Sequence, residues 1–231
     1  MSEGHWIVNT VIAGHPMAFN MDTLVTMWVA MLFLIIVAFI VTRKLSIFPD
    51  KLQYITESIL GYFDNLIKSM INKDGEKHFP LIASLFLFIV TANLMGQLPL
   101  KVFELKHGEF ASPTNDINMT AGLAVIVLVY YVTAGLMKKK VKFLLHGFSF
   151  VDIISMLVEI LELFTRPLTL ALRLFGNILA GEILIGALLG ICAWGLPLPI
   201  MFFEILVACV QALVFTMLTT VYIATAVNEE H

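Results

Sequence analysis

Long apolar stretches separated by short polar segments make up most of this 231-residue chain. Three of them, at 24–41, 79–100 and 117–137, contain no Asp, Glu, Lys or Arg. A helix of about 20 apolar residues is long enough to cross the hydrocarbon core of a bilayer, which is about 30 Å thick. The pattern therefore predicts three membrane-spanning helices at these positions.

Two later stretches, 149–190 and 199–227, also predict membrane helices, but both are longer. At about 1.5 Å per residue the first would be about 60 Å long, which is about twice the thickness of the hydrocarbon core. We therefore expect this helix either to break, with a bend at Pro167, or to cross the membrane at a steep tilt. The last helix is also expected to be steeply tilted. The turn between the two helices is expected at Gly195, Pro197 and Pro199.

Residues 49–73 follow a different pattern. Apolar side chains from Leu52 to Met70 recur every three or four residues, and polar ones such as Gln53 and Lys68 fill the other side. This periodicity predicts an amphipathic helix that lies on the membrane surface. The alternative is a helix packed against a soluble domain, but the sequence offers no such domain. We expect residues 1–231 to form a single all-α membrane domain.

Composition supports a polytopic membrane protein. The chain is 59% hydrophobic and 13% charged, with a mean hydropathy of +0.93, whereas soluble domains have about 45–50% apolar and about 25% charged residues. The basic clusters at 43–51 and 138–142 adjoin apolar stretches, so they are interpreted as topology signals rather than as a nucleic-acid surface. By the positive-inside rule, the N-terminus lies outside and the C-terminus inside.

The N-terminal segment and the cysteines carry little further information. Residues 1–20 lack a basic region followed by an apolar core, so no cleaved signal peptide is expected. Cys192 and Cys209 lie in apolar surroundings and are expected to be small core residues. A disulfide between them remains the alternative.

Polar side chains form a stripe along each of the two long helices. At 100° per residue, five of them fall within about 40° of Arg173: Glu159, Glu162, Arg166, Thr169 and Asn177. Glu182 follows nine residues after Arg173 and points to the opposite side. The last helix carries its own stripe: Glu204, Gln211, Tyr222 and Thr225. Because a charge at the bilayer centre costs about 2.5–3.5 kcal/mol, such residues indicate an ion or proton path.

Arg173 is harder to explain than its neighbours. Glu162 and Arg166 are four residues apart and could simply form a structural ion pair. No acidic residue lies three or four positions from Arg173, and its guanidinium stays charged because its pKa is above about 12. Arg173 therefore requires an anionic partner from another helix or another chain.

Several segments together resemble one known family. LTLALRLFGNILAGE at 168–182, PTNDINMT at 113–120, HFPLIASLFLFIVTANLMGQLP at 78–99 and Gln211 resemble subunit a of the F-type ATP synthase membrane sector, in its bacterial or chloroplast form. Within the PTNDINMT segment, Asp116 also stands where it would cap the third spanning helix.

The resemblance implies a role for each matched residue. Arg173 would face the rotating c-ring, attract its carboxylate and block ion leakage, with Asn177 as its polar neighbour. Glu182, Glu204 and Gln211 would belong to an outer half-channel, with Asp116 and Asn118 as further polar candidates on the outer side. Glu159, Glu162 and Arg166 would belong to an inner half-channel. Some members of the family carry His at the place of Glu182 or Glu204, whereas this chain has Glu at both.

The resemblance also implies partners and a location. The chain would be a non-catalytic, ion-translocating stator subunit that contacts the c-ring, b-type peripheral stalk subunits, the rest of the ATP synthase and the lipid bilayer. It would carry H+, with Na+ as the alternative, and bind no cofactor, metal or nucleic acid. A bacterial plasma membrane is favoured over a thylakoid membrane.

Two other classes of membrane protein are alternatives to a stator subunit. A secondary transporter could use Arg173 to bind an anion, but such folds tend to show two related halves, and the chain has no second copy of its charged helix. A non-transporting scaffold would leave the polar stripes of both long helices unexplained.

Overall fold

A computed structural model describes residues 7–12, 15–43, 45–71, 74–97, 112–139, 150–191, 195 and 197–228. Within these residues a β-hairpin, Ile7–Ile12 (β1) and His15–Asn20 (β2), is followed by six α-helices: Met21–Arg43 (α1), Lys51–Met70 (α2), Phe79–Gln97 (α3), Ile117–Lys139 (α4), Phe150–Ile191 (α5) and Pro197–Val227 (α6). Five of the helices, α1 and α3 to α6, are long and apolar enough to cross a membrane. The predicted all-α membrane architecture is confirmed.

The hairpin is an addition that the sequence patterning did not predict. Its strands are antiparallel, with Ile7 opposite Asn20 and Ile12 opposite His15. Strand β1 has the sequence IVNTVI, and its β-branched side chains favour an extended backbone. Because β2 ends at Asn20 and α1 begins at Met21, the hairpin leads directly into the first candidate span.

Helix α5 resolves the choice between a break and a tilt. It is continuous over 42 residues, from Phe150 to Ile191, and contains Pro167 in its interior. Of the two alternatives, a break at Pro167 is therefore excluded, and the steep tilt of both long helices stays a prediction.

The turn before α6 is also shorter than predicted. Helix α6 begins at Pro197 and includes Pro199, whereas Gly195 lies in a turn. Prolines are tolerated in the first turn of a helix because their missing N–H groups have no intrahelical partner there.

Some predicted features fall outside the described residues. They are the last three residues of the second span (98–100), the end of the surface helix (72–73), Cys192, part of the second basic cluster (140–142) and the C-terminal tail (229–231). Cys209 is a free cysteine.

The described residues divide into two compact units. The first is drawn from Met1–Lys44, Leu87–Met119 and Phe175–Ala212. Its buried apolar side chains are small on average, and the buried polar ones are numerous for a membrane protein: Asp22, Thr26, Asn93, Gln97, Ser112, Thr114, Glu204 and Gln211. Buried polar groups inside a membrane are energetically costly and are therefore often functional. The buried polar residues of this unit are therefore candidate functional residues.

The second unit is drawn from Leu45–Phe86, Thr120–Leu174 and Leu213–His231. Its core is larger and mostly apolar, and the largest fully buried side chains include Phe63, Ile67, Ile82, Leu170, Leu174, Phe215 and Ile223. Helix α2 turns Phe63 and Ile67 into this core. Asn228 donates a 2.8 Å hydrogen bond to the carbonyl of Met70, which ties the end of α6 to the end of α2.

One detail of α2 departs from the predicted amphipathic pattern. Gln53, expected on the polar face, is buried. Its amide donates to the carbonyl of Ser46 (3.1 Å) and to the carboxylate of Glu57 (2.8 Å). Gln53 therefore fastens the segment that precedes α2.

The junction between α2 and α3 holds a buried histidine. The Nδ1 atom of His78 lies 2.9 Å from the hydroxyl oxygen of Tyr130 on α4, and the two rings meet edge to face. Burial, with a further contribution from the positive charge of Lys138, lowers the pKa of His78 below its ordinary value. The ring is therefore mainly neutral at pH 7, which suits its place in a packed junction.

Candidate functional site

Arg173 lies at the middle of the longest candidate span, Met156–Leu188. The residue is exposed, and within the described part of the chain it makes no hydrogen bond or ion pair. The nearby side chains of Leu168 and Leu172 are exposed as well. A permanent cation is thus exposed beside apolar side chains within a candidate membrane span, and its expected partner from another helix or another chain stays a prediction.

Arg166 lies two turns earlier on α5 and is held quite differently. It pairs with Glu162 on its own helix, so the predicted ion pair is confirmed. Its guanidinium also donates to the hydroxyl of Thr225 on α6 (3.3 Å) and lies 5.0 Å from the ring centroid of Tyr222. The two predicted polar stripes meet at this point, and the charge of Arg166 is satisfied within the chain. The side chain of Glu159 lies outside the described residues.

Tyr131 adds a polar group that the sequence did not single out. This α4 residue is buried, and its ring centroid lies 6.2 Å from that of Tyr222. Its hydroxyl is buried without a hydrogen-bond partner among the described residues. A buried hydroxyl of this kind is normally satisfied by an ordered water, so we expect a water beside the pair formed by Glu162 and Arg166.

Glu204 is the most enclosed acidic group of the candidate site. Only 8% of the residue is exposed, and neither carboxylate oxygen has a partner of ordinary hydrogen-bond geometry in the described residues. The side chain of Gln97 and the carboxylate of Glu182 both act electrostatically on it. Glu182 and Glu204, which the resemblance assigns to the same half-channel, are thus near enough to interact.

The backbone of α5 explains how Glu204 fits. A Cβ atom added at Gly181 would lie 2.6 Å from Cδ of Glu204, which is closer than carbon atoms approach. Glycine at this position lets the carboxylate lie directly against the α5 backbone.

Replacement of Gly181 by alanine is expected to displace Glu204, because overpacking of this kind costs about 1–3 kcal/mol. Passive ion flux through the membrane sector in liposomes should fall several-fold, and shortening the acid with Glu204→Asp should restore part of it. Gly186→Ala is the matched control, since a Cβ there meets nothing within 4 Å. Equal flux in the Gly181→Ala and Gly186→Ala variants would contradict the close fit.

Asn115 connects Glu182 to the segment before α4. Its amide donates a 2.6 Å hydrogen bond to Oε2 of Glu182. The sequence placed Asn115 inside the matched PTNDINMT segment without giving it a role. The short 3-10 helix Pro113–Asn115 positions the Asn115 amide beside the Glu182 carboxylate. Periodicity alone could not have indicated that contact.

Asp116 performs the structural task predicted for it. Its carboxylate accepts a 2.9 Å hydrogen bond from the backbone N–H of Asn118 and so caps α4. It also accepts bonds from the hydroxyl of Thr23 (3.2 Å) and the amide of Asn20 (3.4 Å). The side chain of Asn118 is exposed. Asp116 therefore joins the start of α1 to the start of α4.

A network of buried hydrogen bonds connects α3 to α6 and to the segment before α4. Asn93 donates to the carbonyl of Ala208 on α6 (3.2 Å) and accepts from the hydroxyl of Thr114 (2.8 Å). The hydroxyl of Ser112 lies 2.7 Å from that of Thr114 and donates to the carbonyl of Ala92 (3.1 Å). Asn93 and Gln97 were visible in the sequence as polar residues inside an apolar span, but their partners were not.

The last two predicted site residues lie apart from these bonds. Gln211 is buried on α6, and its Nε2 atom has no hydrogen-bond partner among the described residues. Asn177 is half-buried on α5. No group of three or more His, Cys, Asp or Glu side chains that could hold a metal ion occurs in the described part of the chain.

Comparison with known proteins identifies the family of the chain. The family model described as ATP synthase A chain matches residues 24–224, a range that contains Arg173 and the residues predicted for the two half-channels. The protein named ATP synthase subunit a in Gloeobacter violaceus is 44% identical over 219 residues, which cover 93% of this chain and 87% of that relative. The chain therefore belongs to the ATP synthase A chain family, that of ATP synthase subunit a.

Proposed function

We propose that this chain carries ions across the membrane through two offset half-channels, and that Arg173 separates them. The observation that carries the proposal is the exposed guanidinium of Arg173 at the middle of a candidate span, without an ion pair or hydrogen bond to any residue that the structure describes. As a member of its family, the chain is a membrane-embedded stator subunit of an F-type ATP synthase and lies in that complex with other subunits.

The partner of Arg173 is a carboxylate on the rotating c-ring. A carboxyl group that faces lipid is neutral, because burial in an apolar medium raises its pKa. Beside a guanidinium it ionises, because an opposite charge within about 4–6 Å lowers the pKa. Each rotor carboxyl group therefore releases its ion as it approaches Arg173 and takes up another after passing it, while the fixed positive charge repels cations that would cross directly.

The outer half-channel is formed by Glu182, Glu204 and Gln211, with Asp116, Asn118 and Asn115 toward its outer end. Two observations support it. The oxygens of Glu204 and the amide nitrogen of Gln211 are buried and have no hydrogen-bond partner among the residues that the structure describes, and water in a channel would supply one. The carboxylates of Glu182 and Glu204 also interact electrostatically, as two neighbouring groups of one path would.

The inner half-channel is formed by Glu159, Glu162 and Arg166. Its support is the half-exposed carboxylate of Glu162, whose side chain is 47% exposed beside the Arg166 guanidinium. Arg166 is anchored by Thr225 and Tyr222, so it holds the carboxylate in place without itself being free to reach the rotor.

The carried ion is H+, with Na+ as the alternative, and the chain itself binds no cofactor or metal. Carboxyl groups can take up and release H+, and both relay positions hold Glu. A membrane potential supplies about 2.3 kcal/mol per elementary charge per 100 mV, which is the driving force that rotation would use.

The location follows from the charge pattern and the resemblance. The N-terminus lies outside and the C-terminus in the cytoplasm, in a bacterial plasma membrane rather than a thylakoid membrane. Helix α2 lies on the inner surface, α5 crosses at a steep tilt along the c-ring, and b-type stalk subunits hold the chain against rotation.

Disulfide cross-linking tests the contact with the rotor. Thr169 is exposed and lies about 40° from Arg173 around α5, whereas Leu168 is equally open but lies about 140° away. In a chain with Cys192 and Cys209 replaced by alanine, Thr169→Cys should cross-link to a cysteine placed one turn from the c-subunit carboxylate, and Leu168→Cys should not. Equal yields at the two positions would reject this orientation of α5.

A further inference from the structure

An apolar cavity of about 290 Å³ lies within the second unit, between α2, α3 and α6. It is lined by Ser58, Ile59, Tyr62, Phe63, Phe86 and Leu213. The rings of Phe63 and Phe86 are 4.6 Å apart and form one wall, and Tyr62, which is 45% exposed, stands at the open side.

The two hydroxyl groups of this cavity are already engaged. Ser58 donates to the carbonyl of Tyr54 on its own helix (2.7 Å), and the hydroxyl of Tyr62 lies 3.9 Å from the sulfur of Met217. The cavity therefore offers little hydrogen bonding to a polar ligand. Water is held only where it finds two to four polar partners, so an apolar occupant fits this space better than water does.

A basic side chain lies on the same face of α2. Lys51 precedes Ser58 by seven residues and Tyr62 by eleven, so all three project within about 40° of one another, and Lys51 lies about 10.5 Å along the axis from Ser58. The acidic residues of this segment, Asp50, Glu57 and Asp64, lie about 100–140° away around the helix. Lys51 is exposed and forms no ion pair within the described residues.

We propose that this cavity binds one acyl chain of an anionic phospholipid whose phosphate group is held by Lys51. Three features favour this occupant. The cavity lining is apolar, the chain is embedded in a membrane and surrounded by lipid, and Lys51 lies about 10 Å from the cavity with no acidic residue on the same face of α2. The lipid fills the space between the surface helix and the two spanning helices, and it fixes α2 against them.

Photo-crosslinking in membranes tests the site directly. The purified ATP synthase is reconstituted with a phosphatidylglycerol that carries a diazirine in its acyl chain, and labelled peptides are mapped by mass spectrometry. Adducts should concentrate on Ser58–Phe63 and on the segments around Phe86 and Leu213. Ser58→Phe, which fills the cavity, should reduce this labelling at least fivefold. Ser69→Phe is the matched control, because Ser69 is also exposed on α2 and bonds only a carbonyl of its own helix.

A second variant tests the headgroup contact. Lys51→Gln should reduce the preference for phosphatidylglycerol over phosphatidylcholine by about fivefold, the weight of one basic side chain near anionic lipid, whereas Lys68→Gln, whose lysine is paired with Asp64, should not. Labelling that Ser58→Phe leaves unchanged, or that never distinguishes the two headgroups, overturns the proposal. These readouts need no ion flux, so they are separate from the test of the ion path.

Discussion

Replacement of Arg173 by alanine is expected to bring ATP synthesis driven by an ion gradient down to background. Hydrolysis of ATP by the detached catalytic sector should be unchanged, because this chain lies in the membrane sector. The expected loss is large because nothing in the described part of the chain can take over the charge: the nearest other arginine, Arg166, is committed to Glu162 and Thr225.

The same variant should open a leak. Without the guanidinium, a rotor carboxyl group entering the interface keeps the raised pKa of an apolar site and has no reason to release its proton. The fixed positive charge between the half-channels is lost as well, so ions can pass without turning the rotor. Passive proton flux through vesicles that contain the membrane sector alone should therefore persist or rise while coupled synthesis is absent.

Arg173→Lys separates charge from geometry. Lysine keeps one positive charge but lacks the planar fork that can hold a carboxylate through two hydrogen bonds. We expect little leak and weak coupling in this variant. Normal coupled synthesis in Arg173→Ala, measured as ATP formed under an imposed gradient, would reject the assignment of Arg173 to the rotor interface.

The architecture could be predicted because hydrocarbon length constrains it so strongly. Apolar runs of fixed length and positive flanks place α1, α3 and α4 to within a few residues. For α5 the sequence left a break at Pro167 and a steep tilt as alternatives. The helix continues through Pro167 because a proline removes only one hydrogen bond of a long helix, and the buried side chains of Leu170, Ala171 and Leu174 pack beyond that point.

The candidate site could be predicted only where it follows helix periodicity. The spacing of Glu162, Arg166 and Arg173 along one helix was enough to separate a paired arginine from an unpaired one. Contacts between distant segments were invisible: Asn115 reaches Glu182 across 67 positions, and Asn93 reaches Ala208 across 115. Neither bond leaves a periodic trace, because the first depends on how the short segment before α4 folds and the second on how α3 packs against α6.

Glu204→Gln is expected to slow ion uptake from the outer side by about tenfold. Glutamine has almost the same shape, so the fit against Gly181 is kept, but it cannot take up and release a proton. A positioned acid–base group is commonly worth about 10²–10⁴ in a proton transfer, and Glu182 together with channel water should cover part of that loss. The effect is measured as passive flux in liposomes after removal of the catalytic sector.

The direction of the defect distinguishes a relay from simple damage. In Glu204→Gln, proton entry from the outer side should limit the flux when the acidic compartment is on that side. In Glu162→Gln, proton transfer at the inner side should limit the flux instead. Glu204→His should restore much of the flux, because a neutral imidazole can accept and pass a proton. If Glu204→Gln conducts at the normal rate from the outer side, Glu204 is not on the path, and its buried, unpartnered oxygens must serve the packing of α5 against α6 instead.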